Sequence, residues 1–250
     1  MSHHHHHHHH HHNHLDGAFD NVGSEAKYVS MDSDRDREGF VRKVYGILSA
    51  QLIFTSIVVT IVMQIDDFQT WFVDNMWFLF TLIGIEFVCL CFLLCSKKLA
   101  RKVPTNYIIL SIFTLCESLI VGAIASFYDP VSVFIAALMT LGATLGLTAY
   151  AMYAKQNFNA LLGILFSFVF SILIFGILIA IFFDTHALDT LICLGWVVIY
   201  SIYIVIDTQL ILGNGKYGLS NEDYIPGALF LYIDIIRLFI YILALFGNKK

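Results

Sequence analysis

Trp196–Leu212 reads WVVIYSIYIVIDTQLIL and Gly227–Phe246 reads GALFLYIDIIRLFIYILALF, two apolar runs that each carry an aspartate, Asp207 and Asp234. Both runs are apolar enough to enter a bilayer, which places the two carboxyls in membrane. As consecutive spans they run antiparallel. Asp207 then sits about five residues before the first run's exit and Asp234 about seven after the second run's entry, roughly 8 to 10 Å deep in both cases. A charged side chain at a span's centre costs about 2.5 to 3.5 kcal/mol even on permissive insertion scales, so an acid there points to function. A snorkelling acid at a helix end is the bland alternative. Two acids at one depth, however, offer each other a partner.

Working outward, the whole chain has the same character: 58% hydrophobic residues, 13% charged residues and a mean hydropathy of +0.75, far from soluble-domain averages. This predicts an all-α, multi-pass membrane protein. MSHHHHHHHHHHNH is a purification tag, and residues 1–19 are set aside as tag and linker, leaving His186 as the native histidine. Asp16–Glu38 is polar, without a helical apolar stripe, and residues 20–43 read as a mobile cytosolic tail. The membrane domain is then 44–250, with spans near Val44–Gln64, Trp77–Cys95, Tyr107–Ser126, Val131–Tyr153, Ala160–Phe183 and the two runs above, seven in all. Lys249 and Lys250 after the last run raise the alternative of a re-entrant final segment.

Lys and Arg are retained on the cytosolic side of membranes. Lys27, Arg35, Arg37, Arg42, Lys43, Lys97, Lys98, Arg101, Lys102, Lys155 and Lys216 all fall on one side of this topology, which makes the N-terminus cytosolic. The same distribution leaves no basic surface for nucleic acid. The five cysteines lie in apolar runs and read as small buried hydrophobes. No Cys/His cluster marks a metal site. Gly142 and Gly146 have GxxxG spacing, a weak signal for helix packing.

Two further acids, Glu86 and Glu117, stand near the middles of the second and third spans and read as candidates for an ion path. Arg237, three residues beyond Asp234, is a counter-charge placed for an internal ion pair. Two facing aspartates can share one proton, and losing it leaves two repelling charges, a pH switch. Carboxylate oxygens at Asp207 and Asp234 also suit calcium as hard metal ligands. These features point to pH-dependent cation permeation, and they would equally serve a proton-coupled transporter.

FVRKVYGIL (Phe40–Leu48), FTLCES (Phe113–Ser118), IDTQLILGN (Ile206–Asn214) and YIPGALFLYIDIIRLF (Tyr224–Phe239) together resemble the transmembrane Bax-inhibitor-motif family, in particular its lifeguard and Golgi anti-apoptotic branches. The resemblance covers nearly the whole native chain. It implies a seven-transmembrane helical bundle with the last helix central and a di-aspartyl pH sensor at Asp207 and Asp234. It also implies a second-helix glutamate at Glu86 and a basic residue at that helix's cytosolic end, nearest to Lys97. Family members often carry Asn where this chain has Arg237, and an Arg where it has Ala244. The implied activity is calcium leak across endoplasmic reticulum or Golgi membranes, with calcium the permeating ion, no cofactor, and protection from cell death as the outcome. Membrane lipid, anti-apoptotic Bcl family proteins and inositol-trisphosphate receptors are the implied partners.

Other classes fit less well. A seven-helix receptor would place its N-terminus outside, and no span offers a lysine for retinal. An intramembrane aspartyl protease needs a GxGD motif, whereas Leu231, Tyr232 and Ile233 precede Asp234, so no enzyme is expected. A non-conducting scaffold acting through partners stays open.

Overall fold

The structure, a computed structural model, describes residues 9–153, 186–213 and 219–250, with side chains from 35 and from 189 onward in the first two stretches. The described residues form helices α1 (His9–Met63), α2 (Phe68–Asp74), α3 (Met76–Cys95), α4 (Lys97–Arg101), α5 (Thr105–Ala125), α6 (Pro130–Tyr153), α7 (His186–Leu212) and α8 (Tyr224–Phe246). Six are long and apolar enough to cross a membrane: Arg35–Met63 within α1, α3, α5, α6, Asp189–Leu212 within α7, and α8. The chain is a multi-pass helical membrane protein. The span expected at 160–183 lies outside the described residues, as do Lys155 and Lys216.

In lipid, helix association is driven by close packing and polar contacts between helices. Burial is uneven on that account. Within their most apolar windows 61% of α5 and 50% of α8 is buried, against 22 to 28% for the other four spans. Helix α8 packs against α1, α3, α5, α6 and α7, with Ile225, Leu229, Tyr232, Leu238 and Leu243 fully buried. It starts two residues before Pro226, whose missing N–H is harmless in a first turn. Hydroxyls in the spans, such as Ser49, Thr60, Thr114 and Thr140, bond the carbonyl four residues back, which satisfies them without water.

Local pairings fix the two ends of the bundle. Before α8, Glu222 and Asp223 pair with Arg101 at the end of α4. After α8, the chain pairs with the α5–α6 turn: Asp129 N–H donates to Asn248 O at 2.9 Å and Lys250 N–H to Phe127 O at 2.9 Å. Helix α8 therefore begins at the end where α5 begins and finishes where α5 finishes, and it does not turn back. Helix α7 runs the other way, with Trp196 stacked on Tyr241 and Leu210 beside Leu219.

Residues 35–43 continue α1 as helix, with Phe40 3% exposed, because Phe40, Val44 and Leu48 share one face that the bundle covers. Gly142 and Gly146 meet no described neighbour and are exposed, so the GxxxG spacing packs no described helix. Cys95 is exposed at the end of α3, while Cys89 and Cys116 are buried, and all five cysteines are free. Helix α2, a short aromatic helix in the loop expected after the first span, carries Trp71, which meets Phe78 edge-on at 5.4 Å.

Candidate functional site

Asp207 lies one turn before the end of α7 and Asp234 in the middle of α8. The antiparallel pairing of these helices brings their carboxyl groups within hydrogen-bonding reach of each other. Asp234 is 6% exposed and its Oδ2 has no partner among the described residues. A hydrogen bond between two carboxyl groups holds one proton, because an ionised carboxylate can only accept. Such an approach leaves room for one proton between the two groups.

A second pair was not foreseen as a pair. Glu86 of α3 and Glu117 of α5, 7% and 1% exposed, face each other within hydrogen-bonding reach, and each leaves its Oε1 unpartnered among the described residues. Arg237 Nη2 reaches Glu117 Oε2 at 3.3 Å. The spacing of three that suggested an Asp234–Arg237 pair is overridden by helix rotation: Asp234 turns toward α7, and Arg237 toward α5.

Between α1, α5 and α8 runs a polar thread. Gln51 Nε2 donates to Thr114 Oγ1 at 2.8 Å, and the Thr55 hydroxyl meets Ser118 Oγ at 3.0 Å and Tyr232 Oη at 2.8 Å. The sequence reading missed it, since Thr and Ser barely lower hydropathy. Tyr232→Phe removes one of Thr55's bonds and is expected to lower stability by about 0.6 to 1 kcal/mol, read as unfolding in mixed micelles. An unchanged midpoint would show that the bond carries no weight.

Lys97 is exposed and makes no ion pair among the described residues. The base that finds acids from this loop is Arg101: Nε donates to Asp223 Oδ1 at 2.9 Å and Nη1 to Glu222 Oε2 at 2.7 Å. The Asp223 hydrogen bond, helped by both acidic charges, holds the Arg101 guanidinium above its ordinary pKa. Sequence reasoning also missed Arg37. Its Nη1 donates to Leu219 O at 2.6 Å and Asn221 Oδ1 at 3.2 Å, and its Nη2 to Leu210 O at 3.0 Å.

Among the described residues no three His, Cys, Asp or Glu side chains converge. A cavity of about 300 Å³ lies at the opposite rim, lined by Asp129, Ser132, Ile135, Phe246 and Asn248, away from all four acids.

A multi-pass helical bundle with a carboxyl pair between its last two helices is the class that fold and site define. The chain belongs to the family described as inhibitor of apoptosis-promoting Bax1, whose profile matches residues 37–250. It is similar to Protein lifeguard 3 of Homo sapiens, 30% identical over 222 residues, 88% of this chain and 71% of the relative. Protein lifeguard 4 of Mus musculus is 32% identical over 224 residues, 89% of this chain and 91% of the relative.

Proposed function

We propose that this protein is a calcium leak channel of an intracellular membrane, Golgi or endoplasmic reticulum, gated by the proton shared between Asp207 and Asp234, with protection from cell death as its outcome. The observation that carries the reading is the meeting of the two carboxyl groups between antiparallel helices α7 and α8. While the pair holds its proton, a hydrogen bond ties the two helices. Once the proton leaves, two charges about 4 Å apart at an effective dielectric of about 20 repel by about 4 kcal/mol. That is enough to move a helix equilibrium several hundredfold. Calcium would pass as cargo, taking oxygens from the carboxylates along with hydroxyls and water. Glu86 and Glu117, buried in the bundle, are the acids assigned to its path. Anti-apoptotic Bcl family proteins and inositol-trisphosphate receptors are the partners this reading anticipates.

The full arrangement in this reading is seven crossings around the last helix. Tyr45 of α1 lies against Thr148 near the end of α6 and Thr208 near the end of α7, so both helices finish at the Arg37 end. One further crossing between α6 and α7 makes seven. The basic end faces the cytosol, carrying Arg37, Arg42, Lys97, Lys98 and Arg101. A cysteine placed at Lys98 is expected to react with impermeant reagent from the cytosol, and one appended after Lys250 from the lumen. The reverse pattern would overturn the orientation.

The second carboxyl pair, Glu86 with Glu117, favours one rival, a proton-coupled transporter. Calcium flux into liposomes holding the purified protein tests the proposal. Passive, saturable leak that changes with pH supports it; flux only with an imposed proton gradient supports the transporter; no flux leaves the scaffold.

A further inference from the structure

Both aspartate helices are held at the same end by arginines from other parts of the chain, and the two grips differ in kind. Arg101 grips the start of α8 through exposed carboxylates, a contact that solvent and salt weaken. Arg37 instead grips backbone. Two of its three hydrogen bonds go to carbonyls, Leu210 O in the last turn of α7 and Leu219 O, five residues before α8. Leu210 O also accepts from Gly213 N–H and from Leu219 N–H, each at 3.3 Å. The last carbonyls of a helix carry its negative dipole end, so a guanidinium there adds a charged donor and neutralises it.

The surroundings are shaped for this side chain. Gly213 follows α7 at φ 72°, and a Cβ there would stand 2.7 Å from Arg37 Nη2 and 2.9 Å from its Cζ. Glycine is required twice over, for its backbone angle and for the space. Leu219 is tucked beneath, 3.3 Å from the place of a Cβ on Gly227, with Val44 and Ile211 close by. Phe40 stacks under the guanidinium at 4.9 Å. This joint ties α1, the end of α7 and the start of α8 within one turn of Asp207.

The geometry points to Arg37 as the positioning residue of the acid pair: by binding the end of α7 at Leu210 and the chain before α8 at Leu219 and Asn221, it sets the height and rotation at which Asp207 meets Asp234. This rests on the proposed role of that pair. Around it, the titratable or charged groups among the described residues are Tyr200 and Tyr203 of α7, Arg237 on the next face of α8 and Tyr45 of α1 near Thr208; Arg37 stands one turn further on, at Leu210 O. Arg37 is the charged member at the helix end. Lysine keeps the charge but cannot span three acceptors in different directions.

The test uses the full chain in lipid nanodiscs, comparing the parent with Arg37→Gln, Arg37→Lys, Gly213→Ala and Arg101→Gln. Amide hydrogen exchange over residues 204–213 is the first readout. Losing one charge-assisted hydrogen bond should speed exchange there on the order of tenfold in Arg37→Gln. Arg37→Lys and Gly213→Ala should do the same, and Arg101→Gln should leave that segment unchanged. The second readout is the pH profile of calcium leak in liposomes, expected to flatten or shift in the first three variants and to persist in Arg101→Gln. Full protection in Arg37→Lys would mean that charge alone suffices and would overturn the grip. Parent-like exchange in Arg37→Gln and Gly213→Ala would overturn the positioning role outright. Because exchange is read without flux, the joint can be confirmed or refuted even where the parent conducts nothing.

Discussion

Arg237→Leu is expected to lower the stability of the bundle by about 3 kcal/mol. Glu117 is 1% exposed, and the guanidinium at 3.3 Å is the counter-charge the structure gives it; Glu86 faces it from α3. Without Arg237, two acids are left together in a buried site with no positive charge paired to them among the described residues. Removing one partner of a buried pair costs about 3 to 5 kcal/mol. The low end applies here, because the Arg237 side chain keeps 33% of its exposure and 3.3 Å exceeds the roughly 2.7 to 2.9 Å of a strong charged pair. Glu117→Gln added to Arg237→Leu should recover most of the loss, since the uncompensated charge goes with it. Chemical unfolding in mixed micelles reads both effects. Arg237→Leu with parental stability would show that the ion pair does not hold α5 to α8.

Asp207→Asn and Asp234→Asn are each expected to abolish the pH dependence of calcium leak while leaving the bundle folded. Asparagine keeps the size and the hydrogen-bonding capacity of the side chain but cannot give up the shared proton. Leak then persists at one level, high or low, from about pH 6 to 8, a window in which carboxyl groups with raised pKa values can titrate. A pH profile that survives in either variant would place the sensor elsewhere, with Glu86 and Glu117 the next residues to change.

Much of this was open to a reader of the sequence, for reasons that can be traced. Hydropathy located α3, α5, α6 and α8 to within three residues, since a span must satisfy its own backbone and so announces itself by length and apolarity. The aspartates stood out because charge in an apolar run is costly. What stayed hidden depends on rotation and on distant neighbours. Arg237 follows Asp234 by three residues, yet which acid it reaches is decided by where α5 and α7 lie around α8. Any of the four bases between Lys97 and Lys102 could have been the one to find acids. Ser96, accepting from Leu99 N–H at 3.4 Å, starts the α4 turn that carries Arg101 to Asp223.

Arg37 was overlooked for a different reason. The polar run around it masks an apolar stripe, since Phe40, Val44 and Leu48 recur at spacing of four and Arg37 lies on the same face one turn earlier. A boundary drawn where apolar residues become continuous cuts that stripe in two. Gly213 was legible only as a helix stop; that its missing Cβ makes room for a guanidinium is a fact of three dimensions.

If Asp207 and Asp234 act as one proton-sharing unit, a double-mutant cycle on the pH-dependent component of calcium leak shows it. Leak into liposomes is recorded across the pH range for the parent, Asp207→Asn, Asp234→Asn and the double variant. The account predicts that each single change removes the pH-dependent component and that the double change adds nothing, the non-additivity of two groups in one interaction. Two partial losses that sum in the double variant would contradict it, because they would make the aspartates independent sites.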